Sequence, residues 1–132
     1  VDALDEERIA IGAALGLTLQ HHAEMAELWY GHQSFRLQTD KPARELAYAS
    51  IKCEPTLDSR YLTEDLPCGL VPWENMAKLV GVETPICTAM INLGNTLLGR
   101  DFRAEGLTLE RIGLGDLTIS ALQSLGGEGF DI

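Results

Sequence analysis

The sequence predicts an all-α fold, a bundle of about six helices interrupted by one long ordered loop at residues 53–72. Three observations carry that prediction. Apolar residues recur at helical spacing between glycine stops, proline falls in the first turn of two candidate helices, and carboxylates crowd the start of the first helix, where they meet its positive end. At 132 residues the chain is the size of one domain spanning 1–132, and 36 of those residues are Leu, Ile, Val or Phe, enough for a core without disulfides or metal.

The first helix is expected over residues 2–15, with Asp2, Asp5, Glu6 and Glu7 at its start and Gly16 as its stop. Leu4, Ile11 and Leu15 form one stripe, and Arg8 falls within it, its stem on the core and its head in water. A second helix is expected from Leu19 or Gln20 to Tyr30. A third follows from about Lys41 to Ser50, with Asp40 as N-cap and Pro42 in the first turn.

From Cys53 to Pro72 the helical period disappears, and Pro55, Pro67, Gly69 and Pro72 punctuate the run. Loops of this length inside compact domains are uncommon and usually functional or disordered. Leu57, Tyr61, Leu62, Leu66, Leu70 and Val71 favour order, since they need burial. A short helix is expected over Trp73–Val80, closed by Gly81.

The next helix has Thr84 as N-cap and Pro85 in its first turn, and reaches Leu98 before Gly99. It carries no charge. Thr88, Asn92, Asn95 and Thr96 form a neutral polar stripe opposite Ile86, Ala89, Met90, Leu93 and Leu97, which predicts a central, mostly buried helix whose polar stripe faces a cleft, a partner subunit or the 53–72 loop. A turn around Arg100–Glu105, a segment capped by Thr108, a helix from about Leu117 to Leu125 and a loose tail complete the chain. Gly-Leu-Thr-Leu occurs at 16–19 and 106–109 as coincident punctuation, not a repeat.

Charge and motifs exclude several functions. A net charge of −10 repels phosphate backbones and anionic lipid, so neither nucleic acid nor a membrane is an expected partner. His21, His22, His32 and Glu24 lack metal-ligand spacing. Cys53, Cys68 and Cys87 have no CxxC pairing and read as inert packing thiols of a reducing, cytoplasmic setting. No glycine fingerprint for a dinucleotide appears, so the chain alone is not expected to hold one.

The central loop holds the chemistry. In "RYLTEDLPCGLVP", Arg60 offers a planar fork suited to clamping a carboxylate, and Asp65 is a carboxylate able to orient and charge-stabilise an imidazole. By spacing alone, Arg60 and Asp65 also read as an internal ion pair holding the loop's shape.

Residues 55–114, together with "ALDEERIAIGAALG" at 3–16, resemble the C-terminal all-helical domain of the octopine/nopaline (opine) dehydrogenase family; the Arg-Tyr-Leu-Thr-Glu-Asp run followed by Pro-x-Gly-Leu-Val-Pro carries the likeness. The likeness is weakest at residues 20–50 and after about 115. It implies a substrate domain of the type found at the C-terminus of 6-phosphogluconate dehydrogenase, the Rossmann domain being absent from this chain. Such enzymes use NAD or NADP to condense an amino acid reductively with an α-keto acid such as pyruvate. A histidine acts as acid and base, an aspartate hydrogen-bonds it, and an arginine binds a substrate carboxylate. The resemblance assigns the aspartate to Asp65 and the arginine to Arg60, with Tyr61, Thr63 and Glu64 beside them and Tyr61 as a further substrate contact. The catalytic histidine lies upstream in the family, and His21, His22 and His32 do not match it. Val1 beginning directly at a helical pattern fits a piece of a longer enzyme, inactive by itself.

Two other readings stay open. One is a non-catalytic acidic helical module that dimerises or binds a partner through the uncharged helix; the other is a ketopantoate-reductase-like enzyme acting on a simple 2-oxo acid.

Overall fold

A computed structural model of the chain describes residues 1–30 and 55–128, all helix and turn with no strand among them. The elements are α1 (Asp2–Ala14), α2 (His22–Tyr30), α3 (Arg60–Thr63), a π turn (Leu66–Leu70), α4 (Val71–Val80), α5 (Pro85–Leu98), α6 (Phe102–Glu105) and α7 (Ile119–Glu128). The helix expected over 41–50, along with Cys53 and His32, lies outside the described residues.

Glycines end α1, α4 and α5 as expected. Gly16, Gly81 and Gly99 sit at φ of 81°, 75° and 62°, left-handed backbone that a side chain would strain. The second Gly-Leu-Thr-Leu starts differently: Gly106 has φ −75°, so the two copies are not conformational equivalents. α7 starts two residues later than expected and continues through Gly126 and Gly127 to Glu128, into the stretch read as a loose tail.

The stretch 53–72 corrects the sequence reading most. From Arg60 onward it is helical, entering α4 through the π turn. Proline explains both the break and its repair. Pro72 has no N–H to return to the preceding turn, so a carbonyl is left over. The wider π turn satisfies Leu66 O through the Val71 N–H and leaves Pro67 O to accept from Leu107 N at 2.9 Å, across the molecule. Gly106 makes this approach possible, since a Cβ there would lie 2.6 Å from Phe102 O and 2.7 Å from Pro67 O.

The core gathers Leu66, Leu70, Val71, Cys87, Ile91 and Phe102, with Leu4, Leu62, Trp73 and Leu98 packed around it. Cys87 is a packing thiol whose Sγ donates to Leu70 O at 3.2 Å; burial and the nearby Glu74 and Glu7 carboxylates push it up to about 11. Cys68 does not fit that description, because it is exposed.

α5 is not the mostly buried helix expected. Its inner seam is Cys87, Ile91 and Gly94, while Ile86, Met90, Leu93 and Leu97 are exposed. Most of the neutral polar stripe is spent internally. Thr88 donates to Glu74 Oε1 at 2.7 Å, Asn92 Oδ1 accepts from Arg103 at 2.7 Å, and Asn95 Oδ1 accepts from Phe102 N at 3.0 Å. α5 needs no charges of its own on that side because α4 and α6 supply them.

Two carboxylates tie α1 to the rest. Glu7 accepts from Ile86 N at 2.6 Å and Cys87 N at 2.9 Å, capping α5 where Thr84, the expected N-cap, makes no side-chain bond. Asp5 accepts from Arg8 Nε at 2.9 Å and His22 N at 2.7 Å, while Arg8 also donates to Gln20 O at 2.5 Å. Burial pushes the Asp5 carboxyl up, but the His22 N–H and Arg8 outweigh it and hold the group below its ordinary value. The Arg8 head is therefore engaged in protein bonds, where the sequence reading left it in water.

Candidate functional site

Arg60, Tyr61 and Asp65 occupy one surface segment formed by α3 and the turn that follows it. Local bonds shape it: Leu62 N and Thr63 N both reach Ser59 O, the Thr63 hydroxyl donates to the same carbonyl at 3.0 Å, and Glu64 N donates to Arg60 O. Below, Leu66 is 2% exposed and anchors the segment to α5 and α6, where Gly94 leaves room for it; a Cβ on Gly94 would lie 2.2 Å from Leu66 Cδ1. An exposed side chain is thus carried on a buried anchor.

The three candidate residues face outward. The Arg60 side chain is 74% exposed, and its ion pair runs from Nε to Glu64 Oε2 at 3.5 Å, one helical turn on. Tyr61 is half exposed. Asp65 is exposed, and its side chain makes no hydrogen bond or ion pair among the described residues. The structure therefore brings Arg60 and Asp65 onto one segment without pairing them, and the internal Arg60–Asp65 ion pair read from spacing is absent. Within the described residues the two terminal nitrogens of Arg60 are unengaged, and they are the ones a carboxylate takes in a two-point contact.

Sequence reasoning set Glu64 beside the site without a role, although its i,i+4 spacing from Arg60 was the available signal. It missed a buried Arg–Glu pair. Glu74, 2% exposed, accepts from Arg103 Nε and a terminal Arg103 nitrogen at 2.7 Å each, from Lys78 at 3.0 Å and from Thr88 at 2.7 Å. Arg103, working against burial and helped by Thr88 and Lys78, holds the Glu74 carboxyl down at about 2. With all its lone pairs used, Glu74 is a fastener for α4, α5 and α6, not a reactive group.

Two surface hollows lie elsewhere. One of about 460 Å³ is bordered by Glu74, Lys78, Glu83, Thr84 and Thr88; another of about 310 Å³ is bordered by Asp2, Asp5, Glu6 and His21. Neither touches Arg60, Tyr61 or Asp65. His21 meets Asp5 Oδ2 through Nδ1 at 3.3 Å and donates its backbone N–H to Glu24 Oε2 at 3.0 Å, so it helps start α2. Among the described residues no group of three or more His, Cys, Asp or Glu could hold a metal ion, and no helix is long and apolar enough to cross a membrane.

Comparison with known proteins covers this same segment. Residues 1–98 match the model of the NAD/NADP octopine/nopaline dehydrogenase alpha-helical domain. Opine dehydrogenase of Arthrobacter sp. (strain 1C) is 37% identical over 123 residues, 93% of this chain and 34% of that protein. Vitopine synthase of Allorhizobium ampelinum is 34% identical over 115 residues, 87% of this chain and 32% of that protein. Protein ocs of Agrobacterium vitis is 31% identical over 122 residues, 92% of this chain and 34% of that protein. The chain thus spans about a third of the length of these relatives. With no strand among its described residues and a match that runs through Arg60, Tyr61 and Asp65, the chain belongs to the octopine/nopaline dehydrogenase family and corresponds to its alpha-helical domain.

Proposed function

We propose that this domain is the substrate wall of an NAD(P)-dependent opine dehydrogenase that joins the amine of an amino acid to an α-keto acid such as pyruvate and reduces the resulting imine. One observation carries the reading: within the family-matched region, Arg60 and Asp65 stand exposed on a rigidly based segment and do not neutralise each other. Arg60 gives a substrate carboxylate a two-point contact. Tyr61 contributes a half-exposed ring beside it. Asp65 orients a histidine supplied by the rest of the enzyme and stabilises its imidazolium when it takes up a proton. NADH or NADPH, held mainly by a Rossmann domain outside this chain, supplies hydride. The 132 residues form one domain, inactive alone, and the enzyme works in the cytoplasm, a placement supported by the unpaired thiols of Cys68 and Cys87.

The test is steady-state kinetics of the full-length enzyme. Asp65→Asn lowers kcat by about 10²–10⁴-fold at nearly unchanged KM, the range of a lost acid–base contribution. Arg60→Ala raises the KM of the carboxylate substrate by roughly tenfold or more, as for a hydrogen bond to a charged group. Wild-type constants in both variants would reject the assignment.

A further inference from the structure

The charges around Arg60 are lopsided. The run from Asp58 to Asp65 holds one cation, Arg60, and three carboxylates, Asp58, Glu64 and Asp65, and all four residues are exposed. Asp58 acts on the Arg100 guanidinium, whose charged form it favours. Asp65 is the carboxylate proposed to orient the histidine. Glu64 is left without a task in the substrate wall.

Its place beside Arg60 supplies one. A guanidinium can take a carboxylate on the edge between its two terminal nitrogens or on the edge that includes Nε. Glu64 Oε2 stands 3.5 Å from Nε, on the second edge, and the turn closed by Glu64 N donating to Arg60 O at 2.9 Å carries both residues. The contact is longer than an ordinary N–H···O hydrogen bond and lies mostly in solvent, so it adds little to stability. Its effect is electrostatic: a negative charge stands on the Nε edge and the terminal edge is open.

A ligand carboxylate on the terminal edge is matched by Arg60. A second carboxylate on the same ligand finds no further cation in the run 58–65 and meets Glu64 instead, with Asp65 next along the chain. Like charges at such separations repel appreciably in a partly solvated site, and a repulsive group aimed at the wrong ligand is a direct route to specificity.

We infer that Glu64 is a specificity-determining residue of the substrate wall, a negative charge that restricts Arg60 to a substrate carrying one carboxylate and turns away dicarboxylic ones. This role rests on the carboxylate contact proposed for Arg60.

Steady-state kinetics of the full-length enzyme test it with two pairs of substrates: pyruvate against 2-oxoglutarate at a fixed amino acid, and alanine against glutamate at a fixed keto acid. The pair that responds identifies the substrate whose carboxylate Arg60 holds. In that pair the wild type favours the member with one carboxylate, and Glu64→Gln lowers the kcat/KM ratio by roughly 3- to 30-fold, chiefly through a smaller KM for the dicarboxylic member. Glu64→Asp, which keeps the charge, keeps most of the preference. Raising salt from about 0.05 M to about 0.5 M narrows the preference of the wild type more than that of Glu64→Gln, because screening weakens a charge that the variant has already lost. If Arg60→Ala raises a KM while Glu64→Gln leaves both ratios at their wild-type values, or shifts all KM values alike, Glu64 has no part in selection and the inference falls alone. If Arg60→Ala alters no KM, the carboxylate contact falls and the role of Glu64 with it.

Discussion

Two of the Arg–Glu pairs in this small domain, Arg103–Glu74 and Arg60–Glu64, differ in nearly every respect. Arg103 grips Glu74 with two bonds of 2.7 Å, Thr88 and Lys78 fill the remaining positions, and Glu74 is buried. Arg60 meets Glu64 through one nitrogen at 3.5 Å with both side chains mostly in solvent. The first pair is saturated and immobile, so it organises α4, α5 and α6 but has nothing left to offer a ligand. The second leaves donors to spare. Of the two, only Arg60 has donors left over for the carboxylate contact proposed for it.

Removing one member of each pair is the strongest way to break the comparison. Arg103→Ala strands the buried Glu74 carboxylate and is expected to cost about 3–5 kcal/mol in urea denaturation. A loss below 1 kcal/mol would put the two pairs in the same class. Acid sharpens the contrast without mutation. The Glu74 carboxyl sits near 2 in the folded chain against an ordinary 4.5, so in that window the unfolded state binds more protons and stability falls as pH drops. The contribution is whole above about pH 4.5, is lost progressively toward pH 2, and amounts to about 3 kcal/mol. In Arg103→Ala most of that acid sensitivity should vanish from a pH series of melts.

Gly106→Ala tests the packing that both pairs rely on. Its methyl group has no place between Phe102 O and Pro67 O, and the strain should cost about 1–3 kcal/mol, read as a lower Tm. At the bottom of the scale, Arg60→Ala and Glu64→Ala should each change stability by less than about 0.5 kcal/mol, since exposed pairs contribute little. A large loss in either variant would make the Arg60 segment structural.

What could be read beforehand follows the range of the forces involved. The ends of α1, α4 and α5 were legible because glycine and proline act on their own backbone. Residues 60–70 were not, because Pro67, Gly69 and Pro72 signal a loop, and the bond that permits helix instead, Leu107 N to Pro67 O, comes from 40 residues away. α5 misled for another reason. It has two apolar seams one residue apart, 86–90–93–97 and 87–91–94–98, and periodicity cannot say which faces inward. At the site, residue types and the likeness to a family pointed to Arg60, Tyr61 and Asp65. Which of the neighbouring carboxylates holds Arg60 is decided by geometry, and the helix selects Glu64 over Asp65.

The Glu7 cap has a consequence for the order in which this polypeptide matures. The amides of Ile86 and Cys87 are satisfied by a side chain 79 and 80 positions earlier, so the opening turn of α5 stays frayed until the first helix has docked on it. Those two amides become clocks. Their shielding from deuterium during refolding reports when the beginning of the chain meets its middle, and a Glu7→Gln variant should delay that moment while leaving Gly99 and the far end of the helix untouched.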